Sequence, residues 1–281
     1  MKHRLLALDV DGTLIGPDSV VSSEIIDAVA VAQRGGLLVC LATGRSWVET
    51  VPVWRQLRLS EPHLPLVTVG GAMVCEPEVG RTLYHRPIPR QLADSFVEAL
   101  AAAGYSAMAL VDSWRNGFDY LLVERGDVER ARRLWLSKTR AAVRAVGRLP
   151  RQGPRVLRIS AVVEAQAGDK LAEEMRRRFD GQLNVHSILA PNYGVFVVEA
   201  HAVGADKFSA VRYVAQAQGI GAGAIVAVGD DVNDLAMIRG AGLGVAMPQA
   251  PAAVRQAARC VAEAGLAAFI LELAGGKLET D

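Results

Sequence analysis

Leu5-Leu6-Ala7-Leu8 is an unbroken apolar run that ends on a carboxylate, Asp9, and no other stretch constrains the fold as tightly. Four consecutive apolar residues without polar alternation describe a strand buried on both faces, as inside a parallel sheet. Such sheets collect ligands at the carboxyl ends of their strands. Here that end reads Asp9-Val10-Asp11-Gly12-Thr13-Leu14, two acids two residues apart with a glycine to turn the chain. Turn chemistry accounts for Asp11-Gly12-Thr13. It leaves Asp9 stranded at the end of a hydrophobic strand, and a buried acid is costly unless a cation, a proton or a reaction needs it. The junction points to function.

The same alternation continues. The pattern predicts a strand over 4–8, a helix over 22–33 capped by Ser22 or Ser23, a strand over 37–42, a helix over 47–57 and a strand over 66–69. It returns near the C-terminus, with helices over 208–218 and 234–240 and strands over 224–228 and 243–246. Strands separated by helices imply right-handed βαβ units and an α/β, Rossmann-like, doubly wound parallel sheet. Between them the texture changes. A helix ending at Gly104 and strands over 107–111, 120–123, 156–163 and 195–200 describe an α+β insertion with its own sheet. The expected division is a core from 1–83 and 193–281 with an inserted domain over 84–192.

Composition narrows the function. The chain has 281 residues and a formal net charge of +1, so no global field favours nucleic acid or membrane. No apolar run approaches the ~20 residues of a membrane span, and the start lacks a signal peptide's pattern. Cys40, Cys75 and Cys260 follow no CxxC spacing, which fits reduced thiols in a cytoplasmic protein. Charge is unevenly spread: residues 84–192 hold 18 Lys and Arg against 12 Asp and Glu, and the remainder 13 against 18. Much of the positive charge lies over 125–158. It reads as a solvated helical face or as part of a basic lid over an acidic base. A nucleic-acid interface there would want interleaved aromatics, and only Trp135 offers one.

Three further stretches complete a site. The second strand runs into Thr43-Gly44-Arg45, a hydroxyl and backbone N–H groups at a helix entrance, where anions bind. A later strand runs into Gly229-Asp230-Asp231-Val232-Asn233-Asp234, a second acidic turn, and Lys207 precedes a helix. Singly these also read as helix starts, a surface lysine and dipole-favoured acids. Together they set acid, hydroxyl, cation and acid at one sheet edge. Two carboxylates ~4 Å apart repel by about 4 kcal/mol at an effective dielectric near 20, so Asp9 and Asp230 share a site only with a cation between them. An all-oxygen set selects a hard ion, and phosphate chemistry favours Mg²⁺. Lys207 and Thr43 then suit the oxygens of a transferring phosphoryl group.

This set, Asp9-x-Asp11-Gly12-Thr13, Thr43-Gly44-Arg45, Lys207 and Gly229-Asp230-x-x-Asn233-Asp234, resembles the four motifs of the haloacid dehalogenase superfamily of phosphohydrolases. The insertion resembles the C2 (C2B-like) cap of its Cof-type subfamily, and 242–250 is also similar to that subfamily. The resemblance implies that Asp9 is the nucleophile, forming an aspartyl-phosphate, and that Asp11 protonates the leaving alkoxide and then deprotonates water. It implies that Thr43, Gly44, Lys207 and Asn233 bind phosphate. It also implies that Mg²⁺ is held by the Asp9 carboxylate, the Asp11 backbone carbonyl and Asp230, with Asp234 assisting directly or through water. The chain departs from the subfamily at Gly70-Gly71-Ala72, where Asn-Gly-Ala is usual, and at Gln249-Ala250, where Asn-Ala is usual.

The expected activity is hydrolysis of a small phosphate monoester, first a sugar or polyol phosphate and second a flat aromatic phosphate. The alternatives are a phosphomutase or phosphotransferase of the same superfamily and a non-catalytic phosphoacceptor. Candidate substrate contacts are Arg45, Trp114, Arg115, Asn116, Tyr120, His186, Asn192 and Tyr193. The expected partner is the phosphate ester, with neither nucleic acid nor membrane; the oligomeric state is not legible.

Overall fold

The computed structural model describes residues 2–125, 141–190 and 195–276. Trp135, Asn192 and Tyr193, together with most of the basic run that begins at Arg125, lie outside them. The first segment holds β1 (Leu5–Leu8), α1 (Ser23–Arg34), β2 (Leu38–Leu41), α2 (Trp47–Gln56), β3 (Leu66–Thr68) and β4 (Met73–Cys75). The middle begins with β5 (Thr82–His85), α3 (Arg90–Ala102), β6 (Ala107–Val111), α4 (Ser113–Asn116) and β7 (Tyr120–Val123). It continues with β8 (Val143–Val146), β9 (Val156–Glu164), α5 (Ala165–Arg178), β10 (Leu183–Ala190) and β11 (Val195–Ala202). The last segment contains α6 (Lys207–Ala217), β12 (Ile225–Gly229), α7 (Leu235–Gly240), β13 (Leu243–Ala246), α8 (Ala252–Ala257), β14 (Cys260–Val261) and α9 (Leu266–Ala274).

The chain forms two compact units, one of Met1–Arg81 with Asp206–Asp281 and one of Thr82–Ala205. The second boundary therefore falls after Ala205 and not after residue 192. The reason is pairing: β11 lies between β9 and β10, antiparallel to both, and cannot leave their sheet.

In the first unit a five-stranded parallel sheet has the order β14-β13-β12-β1-β2. β1 sits inside it with Leu5, Leu6, Ala7 and Leu8 fully buried, as its unbroken apolarity requires. Its neighbours are in step, Leu8 opposite Val228 of β12 and Leu41 of β2, so all three strands deliver their next residues to the same edge. Ser22 caps α1 by accepting from the Ile25 N–H. β3 runs parallel beside the end of β2, as expected, but forms no extended ladder with it. It pairs antiparallel with β4 and touches the main sheet through a single Ala42–Val67 bridge. The hairpin turns through Val69, Gly70 and Gly71, all at positive φ, which two glycines make accessible.

The second unit is a six-stranded sheet of order β10-β11-β9-β6-β7-β8, antiparallel except for β7 with β8. α3 and α5 pack on it, and Phe96 of α3 meets Phe179 at a ring separation of 5.1 Å. Among the strands Glu199 and Arg158 form a buried ion pair at 3.3 Å, and Arg158 also donates to the Tyr120 hydroxyl at 3.0 Å.

Candidate active site

β1, β2 and β12 end together, and the residues that follow them build the site. The Asp9 N–H donates to the Val228 carbonyl, and the Ala42 N–H donates to that of Leu8. Asp9, Thr43 and Asp230 therefore emerge at the carboxyl edge of adjacent strands, where backbone pairing gives way to free side chains. Lys207, the first residue of α6, supplies the cation. Its Nζ lies 2.5 Å from Asp9 Oδ1 and 2.6 Å from Asp234 Oδ1, and it donates to Asn233 Oδ1 at 3.5 Å. Lys207 is 1% exposed, Asp9 4% and Asp234 0%. A lysine buried this deeply is tolerable only because two carboxylates meet its ammonium.

Asp234 is a brace as much as an acid. Its Oδ2 accepts from the backbone N–H groups of Asp230 and Asp231, at 3.0 and 3.1 Å, closing the turn after β12, while its Oδ1 takes Lys207. Asp230 is set by the Thr13 hydroxyl, which donates to its Oδ1 at 3.1 Å. Gly12 makes that approach possible. Its φ is +78°, and a Cβ there would stand 2.1 Å from Asp230 Oδ2.

The electrostatics follow from crowding. Burial pushes the Asp9 carboxyl well above the usual range, the charges of Asp234, Asp230 and Asp11 add to this, and Lys207 opposes it. Burial and Asp234 raise Asp230 to about 6, against the Thr13 bond. Burial disfavours the Lys207 ammonium, but Asp234 and Asp9 outweigh it and hold that pKa above the ordinary lysine range. The cluster thus has more negative charge than Lys207 can neutralise. Asp9, Asp230 and Asp234 each offer a carboxylate oxygen within 4.8 Å of the others, and no His or Cys joins them. Three hard oxygen donors with surplus charge fit Mg²⁺.

Asp11 is held differently. Arg45 grips it with two bonds, Nε to Oδ2 at 2.8 Å and Nη2 to Oδ1 at 2.5 Å, at a carboxylate whose side chain is 56% exposed. Arg45, expected as a substrate contact, is here the partner of Asp11. Thr43 is fully buried and its Oγ1 accepts from the Arg45 N–H, so the hydroxyl shapes the turn that Gly44 occupies.

The structure brings Asp9, Lys207, Asn233, Asp234, Thr13 and Asp230 into one bonded network in the first unit. Arg115, Asn116, Tyr120 and His186 belong to the second. Tyr120 is buried with its hydroxyl on Arg158, so it packs within its sheet; His186 on β10 lies 6.4 Å from the His201 ring. Trp114, Arg115 and Asn116 form a short helical turn whose N-cap is Asp112. Sequence reasoning placed Thr13 in the first motif but gave it no role, because one turn hydroxyl has no partner that spacing reveals. It also missed Gln249, which donates to the Gly12 carbonyl although it stands where the subfamily usually has Asn.

The parallel sheet with an acid–lysine cluster at its edge belongs to a known class. Residues 6–265 match the haloacid dehalogenase-like hydrolases, and the chain belongs to that family. It is 28% identical over 284 residues to a 5-amino-6-(5-phospho-D-ribitylamino)uracil phosphatase, YitU, of Bacillus subtilis, covering 96% of this chain and 97% of the relative. It is 25% identical over 274 residues to the pyridoxal phosphate phosphatase YbhA of Escherichia coli, covering 93% of each. A solved haloacid dehalogenase-like hydrolase from Bacteroides thetaiotaomicron superposes with a TM-score of 0.75 at 25% identity, over 97% of this chain and all of that one. The chain is a phosphoric monoester hydrolase of the Cof-type branch.

Proposed function

We propose that this protein is a Mg²⁺-dependent phosphatase that hydrolyses a small phosphate monoester through an aspartyl-phosphate on Asp9. The observation that carries the reading is Lys207, buried and bonded at once to Asp9 and Asp234 at the carboxyl edge of the sheet. A nucleophilic carboxylate must meet a phosphate anion, and a fixed ammonium beside it lowers that repulsion without reorganisation. Asp9 and Asp230 would hold the metal directly, with the Asp11 carbonyl and Asp234 assisting. Bound there, Mg²⁺ supplies charge neutralisation for the phosphoryl oxygens.

An Asp9 oxygen attacks phosphorus, the ester P–O bond breaks, and Asp11 gives a proton to the departing alkoxide. Asp11 then takes a proton from water as it attacks the acyl phosphate; inorganic phosphate leaves and Asp9 is restored. Arg45 orients Asp11 between these duties. Thr43, Gly44 and Asn233 receive the phosphoryl oxygens beside Lys207. An acid at position 11 serves both half-reactions, which favours hydrolysis over transfer to a second hydroxyl.

Sugar and polyol phosphates are the first substrate class, since hydroxyl-rich molecules suit polar partners such as Arg115, Asn116, His186 and Asn192. Flat heteroaromatic phosphates are the second, favoured by relatives named for a ribitylaminouracil phosphate and for pyridoxal phosphate. Cys40, Cys75 and Cys260 are free thiols, which suits a reducing cytoplasm. A phosphate-release panel over metabolites, with and without Mg²⁺, tests the reading. Release from small esters that stops with chelator is expected. Isomer formation without release would point to a mutase, and full activity in chelator would remove the metal.

A further inference from the structure

A cavity of about 320 Å³ lies in the second unit, lined by His85, Asp112, Arg115, Asn116, Gly153, Pro154 and Arg155. Its one acid is spent. Asp112 is 1% exposed; its carboxylate accepts three hydrogen bonds and forms an ion pair with one guanidinium. Oδ1 receives the Thr82 hydroxyl at 2.7 Å and the Arg115 N–H at 3.2 Å. Oδ2 accepts from His85 Nδ1 at 3.0 Å and lies 3.1 Å from Arg115 Nε in an ion pair. Three of its about four lone-pair sites are filled and a guanidinium already stands beside it, so Asp112 is committed to neighbouring donors. It works as an anchor that fixes one imidazole and one guanidinium.

Among the described residues the remaining donors have no hydrogen-bond partner. With Nδ1 on Asp112, His85 keeps Nε2 for the cavity. Arg115 uses Nε and keeps its two terminal nitrogens, and Arg155 has no hydrogen-bond or ion-pair partner among the described residues. Two guanidiniums against one committed carboxylate leave the cavity net positive. A preorganised guanidinium fork is suited to planar or tetrahedral oxyanions. We propose that this cavity is a binding site for a compact oxyanion, a carboxylate or phosphate group, held by Arg115, Arg155 and His85, with Asp112 as the positioning residue. The anion is either a second acidic group on the substrate or a free small anion. Binding itself is independent of the phosphatase reading; only the first of these sources rests on it.

The test uses the full chain without metal and malonate as the probe. Calorimetric titration should show saturable binding, and the His85 ring resonances should shift along the same isotherm. Arg155→Ala removes an exposed, unpartnered side chain, so the fold should persist. A charge-assisted hydrogen bond is worth roughly 1.5–3 kcal/mol, so affinity should fall about tenfold or more, with partial rescue in Arg155→Lys. Absence of saturable binding overturns the proposal, as does equal affinity in wild type, Arg155→Ala and Arg115→Ala. Kinetics then separate the sources. A kcat/KM loss in Arg155→Ala confined to esters bearing a second acid assigns the site to substrate. A malonate effect on neutral esters, present in wild type and lost in Arg155→Ala, assigns it to a free anion. The calorimetric result is readable even if the protein hydrolyses none of these esters.

Discussion

Lys207→Met is the most informative perturbation of the cluster, because it keeps the length of the buried stem and removes only the charge. Nζ touches Asp9 at 2.5 Å and Asp234 at 2.6 Å, and both of these residues are at least 96% buried. Deleting one member of a buried ion pair typically costs about 3–5 kcal/mol, since the surviving charge stays desolvated. Here two carboxylates survive, so a loss at the upper end of that range is expected in chelator near neutral pH. That is a large share of the ~5–15 kcal/mol by which domains are stable. The pH dependence has a definite sign. The Asp9 pKa is already raised by burial and Asp234, and Lys207 is what restrains it. In the variant it rises further, and the folded state then binds more protons than the unfolded state across the window between the unfolded value of 3.8 and the new folded value. Stability is gained as pH falls through that window, so the deficit should be large at pH near 8 and shrink on acidification. Urea unfolding at several pH values measures it. Mg²⁺ should restore part of the stability by replacing the lost cation, without restoring turnover. A loss under about 1 kcal/mol, or a deficit that grows on acidification, would refute the reasoning.

Mg²⁺ affinity should weaken as pH falls through about 6, where Asp230 takes up a proton, by about tenfold per pH unit; affinity that is flat from pH 8 to 5 in calorimetry would contradict this. The metal-free protein should gain stability from the same group as pH falls from about 6 towards 3.8. Gly12→Ala puts a Cβ 2.1 Å from Asp230 Oδ2 at a φ of +78°, so Asp230 must move. Strain of about 1–2 kcal/mol should lower Tm. Misplacement near 1 Å can cost about 100-fold in kcat, and wild-type turnover in this variant would show that Asp230 is not needed where it stands. Arg45→Ala breaks a pair whose carboxylate is 56% exposed, so stability should change by less than about 1 kcal/mol. Its kcat should nonetheless fall, about tenfold or more, if Arg45 orients the acid–base; an unchanged pH–rate profile would remove that role.

The parallel core was legible because doubly buried strands are written as apolar runs, and acids at their ends interrupt the pattern. Asp9 and Asp230 were read that way, whereas Lys207, ahead of a helix, stood out only in combination with them. β3 was legible in part: Leu66–Thr68 does run parallel beside β2, but the positive-φ turn at Val69-Gly70-Gly71 also folds it into a hairpin with β4 that the apolar pattern does not announce. β8 and β10 escaped notice because Val143–Val146 mixes exposed and half-buried positions and Leu183–Ala190 carries polar residues among its apolar ones. Side-chain partnerships across long loops were not legible at all. Thr13 with Asp230, Arg45 with Asp11 and His85 with Asp112 are joined by folding, with no periodic relation between them. Tyr120 shows the converse. An aromatic near a loop reads as a ligand contact, yet it is a buried sheet residue bonded to Arg158.

Phosphorylation of Asp9 is the step on which the proposed hydrolysis turns. The Asp11→Asn variant should slow hydrolysis of the acyl phosphate, so acid quench after mixing with Mg²⁺ and a turned-over ester should trap it. Peptide mass spectrometry should then find the phosphoryl group on Asp9, and find none when Asp9→Asn is added. A phosphoryl group on any other residue, or undiminished turnover by Asp9→Asn, would contradict the account.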